Sequence, residues 1–187
     1  FARQNLAYDE WFINHGSIDL SSIPPEGVFY NRMSASSHTR EHRYAVELTG
    51  PLLAWLQAHG RRVINDRRAM QLEIRKFEQY ISLKQFDLNV PQTIAAVGKD
   101  EILQAAHTFA PNSFILKPNR GGKGLGVQLF HTIEGLADYL STDSVVSLDG
   151  VVLVQEYVKP ADSHIVRMEF IGGKFHYAVR VDTSEGF

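Results

Sequence analysis

The sequence predicts an α/β protein of the α+β kind, with short strands alternating with helices and an antiparallel hairpin near its end. Three observations carry this. Short apolar runs such as Val28-Phe29-Tyr30, Phe114-Ile115-Leu116 and Val151-Val152-Leu153-Val154 read as buried strands. The stretches between them carry apolar residues at helical spacing, as in Ala69–Phe86. Gly172-Gly173 separates two alternating segments and reads as a two-residue hairpin turn.

Taken in order, residues 1–27 are poorly periodic, and Ser21-Ser22-Ile23-Pro24-Pro25 reads as a loop. After the strand at Val28, His42–Leu48 reads as a helix broken by Gly50-Pro51, with Pro51 opening a second helix to His59. Arg61–Asn65 is a short strand. Ala69–Phe86 is the longest helix expected, with Leu72, Phe77, Tyr80, Ile81 and Leu83 at roughly helical spacing. Pro91–Val97 is a strand, and Asp100–Phe109 a helix with Ile102, Leu103, Ala106 and Phe109 on one stripe. The strands Phe114–Lys117 and Val127–Phe130 flank a glycine-rich loop. Thr132 caps a helix running to Leu140. Val151–Val158 is a continuous strand, and His164–Phe170 with Lys174–Val181 form the hairpin.

The bulk properties narrow the function classes. A chain of 187 residues can bury a core without staples, as one large domain or two small ones. Nineteen basic and 21 acidic residues give a net charge of −2, which argues against bulk nucleic-acid binding. The absence of cysteine excludes disulfides and thiolate metal sites and fits a reducing, cytoplasmic setting. No apolar run reaches the roughly 18 residues of a membrane span. The eight histidines show no metal-ligand spacing and read as surface or packing residues.

Lys117-Pro118-Asn119-Arg120-Gly121-Gly122-Lys123-Gly124-Leu125-Gly126 is the most informative stretch. Glycines let backbone N–H groups approach phosphate oxygens, and Lys117, Arg120 and Lys123 place cations beside them. A flexible surface loop is the plain alternative. A Walker loop needs Gly-Lys followed by Ser or Thr, whereas Gly124 follows Lys123. A dinucleotide fold needs the glycines to open a helix, whereas a strand follows here. A protein kinase places its lysine after the glycine loop, whereas Lys117 precedes it. What remains is a phosphate flap on a β-hairpin. Four glycines make such a loop costly to fix, so residues 119–126 are expected to be mobile without a ligand.

Over about residues 60–181 this arrangement resembles the ATP-grasp superfamily, and within it the RimK-like glutamate ligases and glutathione synthases. The resemblance rests on Lys76 near a helix start, Val90-Pro91-Gln92-Thr93, Phe114-Ile115-Leu116-Lys117-Pro118, the glycine loop, Gln155-Glu156-Tyr157-Val158 and Arg167. It implies that Lys76, Lys117, Arg120, Gly121, Gly122, Lys123, Gly124 and Gly126 serve the nucleotide phosphates. Gln155, Glu156, Tyr157 and Val158 would form the adenine hinge, with the Glu156 and Val158 backbone on the adenine edge. Arg167 would act at the reaction centre, with Arg180 on the partner strand expected beside it; a cross-strand ion pair with Glu169 is the plain alternative. The family's acidic ribose ligand is replaced by Ile165, leaving His164 or Asp162 for that contact.

The implied domain plan is a partial pre-ATP-grasp region at 1–67, a small subdomain with the flap at 68–142, and the start of a larger subdomain at 143–187. The implied reaction is ATP- and Mg²⁺-dependent activation of a carboxylate to an acylphosphate, followed by attack of an amine. The partners would be ATP, a carboxylate and an amine from an amino acid, peptide or protein end, with a homo-oligomer allowed. A kinase acting on a hydroxyl and a non-catalytic nucleotide-binding module are the rival readings. The family's Glu-x-Asn metal motif does not occur after residue 158, so the metal ligands are expected downstream of Phe187 and the chain alone is expected to be inactive.

Overall fold

The computed structural model describes residues 1–122, 124–142, 147–160 and 162–184. The chain divides into two compact units: Phe1–Leu88 with Arg120–Lys123, and Asn89–Asn119 with Gly124–Phe187. The division departs from the expected plan in two places. Residues 68–88 fold with the first unit. The strand expected to open a separate subdomain is instead central in the sheet of the second, where a continuous apolar run finds partners on both edges.

In the first unit, β1 (Val28–Tyr30) and β2 (Arg62–Ile64) pair in parallel. The helix α1 (Ala45–Ala58) runs through Pro51, where two helices were expected. Pro51 removes the N–H that would bond the Glu47 carbonyl, a local cost. The buried residues Val46, Thr49, Leu52, Leu53 and Leu56 lie on both sides of it at one helical stripe. Val46, Leu52, Leu53 and Leu56 form a single core with Met70, so burial of the stripe outweighs the missing bond. Conversely, the single helix expected over Ala69–Phe86 is two: α2 (Arg67–Ile74) and α3 (Lys76–Lys84). The Asp66 side chain caps α2, accepting from Ala69 N at 2.9 Å. Arg75 is extended, with φ −122° and ψ 93°, and ends α2. Gln71 Nε2 and an Arg75 guanidinium N donate to the two oxygens of Glu78, at 2.5 and 2.7 Å. Glu78 sits in the first turn of α3, where the helix dipole favours a carboxylate. Lys76 is therefore the first residue of α3.

In the second unit, β3 (Thr93–Ala96), β6 (Val152–Glu156), β4 (Phe114–Pro118) and β5 (Gln128–Phe130) form an antiparallel sheet in the order β3-β6-β4-β5. Helices α4 (Lys99–His107) and α5 (Ile133–Ser141) lie between its strands in sequence. Thr132 caps α5, its hydroxyl accepting from Gly135 N at 3.1 Å. Alternation along the strands separates two sets of side chains. Phe114, Leu116, Val152 and Val154 pack with Ile102 and Ala106 of α4 and Leu136 and Leu140 of α5. Ile115, Lys117, Leu153, Gln155 and Thr93 occupy the opposite face by register.

The unit also contains the hairpin of β7 (His164–Ile171) and β8 (Lys174–Asp182). Gly172 and Gly173 have φ of 56° and 75°, the left-handed pair that a two-residue type I′ turn requires.

Candidate functional site

The second unit gathers one set of the expected residues on adjacent strands. Lys117 lies near the end of β4 and Gln155 near the end of β6, on the face opposite α4 and α5. Lys117 Nζ donates to Gln155 Oε1 at 2.7 Å. Gln155 Nε2 donates to Thr93 Oγ1 at 2.6 Å, and the Thr93 hydroxyl donates to the Pro91 carbonyl at 2.8 Å. Gln155 is only 4 % exposed, so its amide must be satisfied within the protein, and this chain of bonds does so.

Beyond Gln155 the strand ends. Glu156 N donates to Gln92 O at 3.0 Å, continuing the ladder with the β3 side. The return bond is altered: Gln92 N donates to the Glu156 carboxylate at 2.8 Å, not to the Glu156 carbonyl. Tyr157 N donates to Ser113 O at 3.4 Å, and Val158 is exposed. Glu156 and Tyr157, with Gln92, Ser113 and His131, line an open cleft of about 650 Å³. Ser113 Oγ and His131 Nδ1, both in its lining, are 2.8 Å apart. Lys117 does not line that cleft.

The first unit holds a different set. Lys76 Nζ donates to the Gly121 carbonyl at 2.6 Å, so the expected phosphate lysine grips the backbone of the glycine loop. Arg120, expected as a cation beside the phosphates on a loop that is mobile without a ligand, is 7 % exposed. Its two terminal nitrogens donate to the two oxygens of Glu47 at 2.5 and 3.3 Å. That guanidinium holds the Glu47 carboxyl below the usual carboxylate range, against the opposing effect of burial. Arg120 Nε has no hydrogen-bond partner among the described residues. Gly122 allows a close approach: a Cβ there would sit 3.3 Å from the Ser36 Cβ. The first part of the loop is thus tied down rather than loose. Gly124 and Gly126 belong to the second unit and have φ of 73° and 74°, conformations that suit glycine. Lys123 lies outside the described residues.

The hairpin corrects one expectation. Arg180 lies opposite Val166, while Arg167 lies opposite Val179, so the two arginines are on opposite faces. The cause is a bulge: Phe170 pairs with Phe175 and Glu169 with Tyr177, leaving His176 without a ladder partner. In an unbulged ladder Arg180 would face Ile165, on the side of Arg167. Arg167 approaches Glu169 at 3.8 Å, with both side chains largely solvated. His164 opens β7, its Nδ1 3.0 Å from the Asp162 carbonyl. Among the described residues no group of three or more His, Asp or Glu is arranged to hold a metal ion. No helix among them is long and apolar enough to cross a membrane.

The sequence marks no role for Glu47 and presents Thr93 only as part of a motif. The signal for Thr93 was its place two residues after Pro91; Glu47 carries none, being remote in sequence from Arg120.

No family model matches the chain, and neither does any curated protein sequence. Solved structures do. D-cycloserine synthetase DcsG superposes with a TM-score of 0.58 and 22% identity, over 88% of this chain and 54% of that one. The RimK domain ATP-grasp protein from Sphaerobacter thermophilus DSM 20745 gives 0.54 and 18%, over 75% and 49%. The ATP-grasp ligase PsnB, complexed with precursor peptide PsnA2 and AMPPNP, gives 0.52 and 21%, over 82% and 51%. The chain spans about half the length of these structures. These superpositions show that the chain has part of the ATP-grasp fold.

Proposed function

We propose that the chain is the ATP-binding part of an ATP-dependent carboxylate–amine ligase that works through an acylphosphate. The observation that carries this reading is Lys117, an ammonium set on the sheet face opposite the helices, one strand from a hinge whose ladder is interrupted. Gln92 N–H goes to the Glu156 side chain, which leaves the Glu156 carbonyl without that ladder donor and suits it to an adenine amine. Val158, just past the strand, offers its N–H to the adjacent ring nitrogen. Lys117 would neutralise charge on the phosphates, where most of the catalytic work is positioning and electrostatics. PsnB, which shares the fold, is itself an ATP-grasp ligase seen with AMPPNP and a peptide.

In the proposed reaction a carboxylate oxygen attacks the γ-phosphorus and ADP leaves. An amine then attacks the acyl carbon, and phosphate leaves with the former carboxylate oxygen. Mg²⁺ would travel with the nucleotide and spread charge over its phosphates; no described residue is assigned to it. Lys76 keeps the phosphate role that the resemblance implies, and Arg167 the role at the reaction centre, as part of this proposal; Arg120, buried against Glu47, is left out of the phosphate set.

Titration calorimetry with Mg-ATP tests the binding half. Lys117→Ala should weaken binding by about tenfold or more, as expected for losing a charged contact. Equal affinity in parent and variant would remove Lys117 from the site. Hydroxylamine trapping tests the chemistry: a hydroxamate formed from a carboxylate and ATP supports the ligase, whereas a stable phosphorylated alcohol supports a kinase.

A further inference from the structure

We infer that Gln155 and Thr93 are positioning residues for Lys117, and that Gln155 acts on the nucleotide through that lysine rather than by touching it. The inference rests on the nucleotide reading above and gives roles to two motif residues that it leaves unused.

The argument is one of donors and acceptors. An ammonium only donates, so Gln155 must turn its oxygen, not its nitrogen, toward Lys117 at 2.7 Å. The amide nitrogen then faces Thr93, 2.6 Å from its oxygen. A hydroxyl could donate or accept there, but the Thr93 proton is already given to the Pro91 carbonyl at 2.8 Å. Thr93 is therefore an acceptor, and the amide has one orientation. The polarity runs without conflict from Lys117 through Gln155 and Thr93 to a backbone carbonyl. It crosses three neighbouring strands, β4, β6 and β3, with Thr93 and Ile115 both opposite Gln155 in the ladders.

Burial makes the arrangement selective. Gln155 is 4 % exposed, so a reversed amide would leave its nitrogen facing a cation with no water to compensate. A lysine side chain has several rotatable bonds and loses substantial entropy when held. The relay meets part of that cost before a ligand arrives, which favours binding to a fixed charge. It also explains why the proline-to-threonine spacing, the strand-end lysine and the hinge glutamine occur together. Each is a member of one hydrogen-bonded row.

The test uses the 187-residue chain, with Mg-ATP and AMP as probes in calorimetry. Gln155→Leu and Thr93→Val are near-isosteric, and Thr93→Ser keeps the acceptor. Gln155→Leu and Thr93→Val should each weaken Mg-ATP by about tenfold, and Thr93→Ser should restore parental affinity. AMP, which lacks the outer phosphates, should change by less than about twofold. In a Lys117→Ala background, Gln155→Leu should add less than about a further twofold. Equal weakening in both backgrounds would mean that Gln155 contacts the nucleotide directly, and would overturn the inference. Unchanged Mg-ATP affinity in Gln155→Leu and Thr93→Val would overturn it as well. If the parent itself fails to bind Mg-ATP, the nucleotide reading falls and the relay is judged separately. The ¹⁵N ammonium signal of Lys117 should then show slow proton exchange in the parent and fast exchange in Thr93→Val. The same exchange rate in both would overturn the relay.

Discussion

Removing the carboxylate of Glu47 should destabilise the first unit more than removing the arginine it binds. Arg120 is 7 % exposed and its Nε already lacks a partner, whereas the Glu47 side chain is 45 % exposed. Glu47→Ala leaves a buried guanidinium without its counter-charge, a change that costs about 3–5 kcal/mol in well-buried pairs. Half of this pair is solvated, so the lower end, about 3 kcal/mol, is expected here. Arg120→Met removes the buried charge together with its desolvation cost, and Glu47 returns to water. That variant should lose about 1 kcal/mol or less. Intrinsic fluorescence reports the difference directly, since the only two tryptophans, Trp11 and Trp55, both belong to the first unit. Urea titration of parent and variants measures it. A loss for Arg120→Met equal to or above that for Glu47→Ala would refute the reasoning, because it would make the pair a net attraction rather than a charge in need of compensation.

Three further outcomes follow from the same structure. The Glu47 carboxyl is held below its ordinary range by Arg120, so its contribution is present above the unfolded pKa of about 4.3 and is lost as pH falls through the lower folded value. The stability gap between parent and Glu47→Gln should therefore close below about pH 4, as read from urea midpoints across pH. Asp66→Ala and Thr132→Ala each remove a helix cap and should cost about 1 kcal/mol, the first visible in tryptophan fluorescence and the second in far-UV dichroism. Hydrogen exchange should show amides at 119–122 protected even without nucleotide, with those at 124–126 gaining protection when Mg-ATP is added; fast exchange throughout 119–122 would contradict the anchoring described above.

What the sequence revealed and what it hid divide along one physical line. The strand Phe114–Pro118, the Thr132 cap and the Gly172-Gly173 turn are local events, legible from a few adjacent residues. The lysine closing an apolar strand was legible for the same reason. The Arg120–Glu47 pair spans 73 positions, and no local pattern marks it. The passage of α1 through Pro51 and the break at Arg75 depart from the expected helices in opposite directions. In the first, a buried stripe on both sides of the proline prevails over its missing N–H. In the second, an unbroken apolar spacing gives no hint that Gln71 and Arg75 converge on Glu78 to start a new helix. Arg180 lies on the face opposite Arg167 because the ladder skips His176, a bulge that no local sequence pattern marks.

That skipped residue has a bearing on how the hairpin can vary. Both sides of β7 and β8 display exposed apolar residues, including Val166, Met168 and Phe170 on one side and Ile165, Val179 and Tyr177 on the other. Burial therefore does little to choose between neighbouring registers. If His176 were drawn into the ladder, residues 177–182 would exchange sides and Arg180 would join Arg167. Positive charge now divided between two surfaces would be concentrated on one. Deleting His176 has the contrary effect, since the remaining residues keep their present partners with no bulge required. A single codon thus separates a hairpin able to trade its sides from one committed to the present allocation.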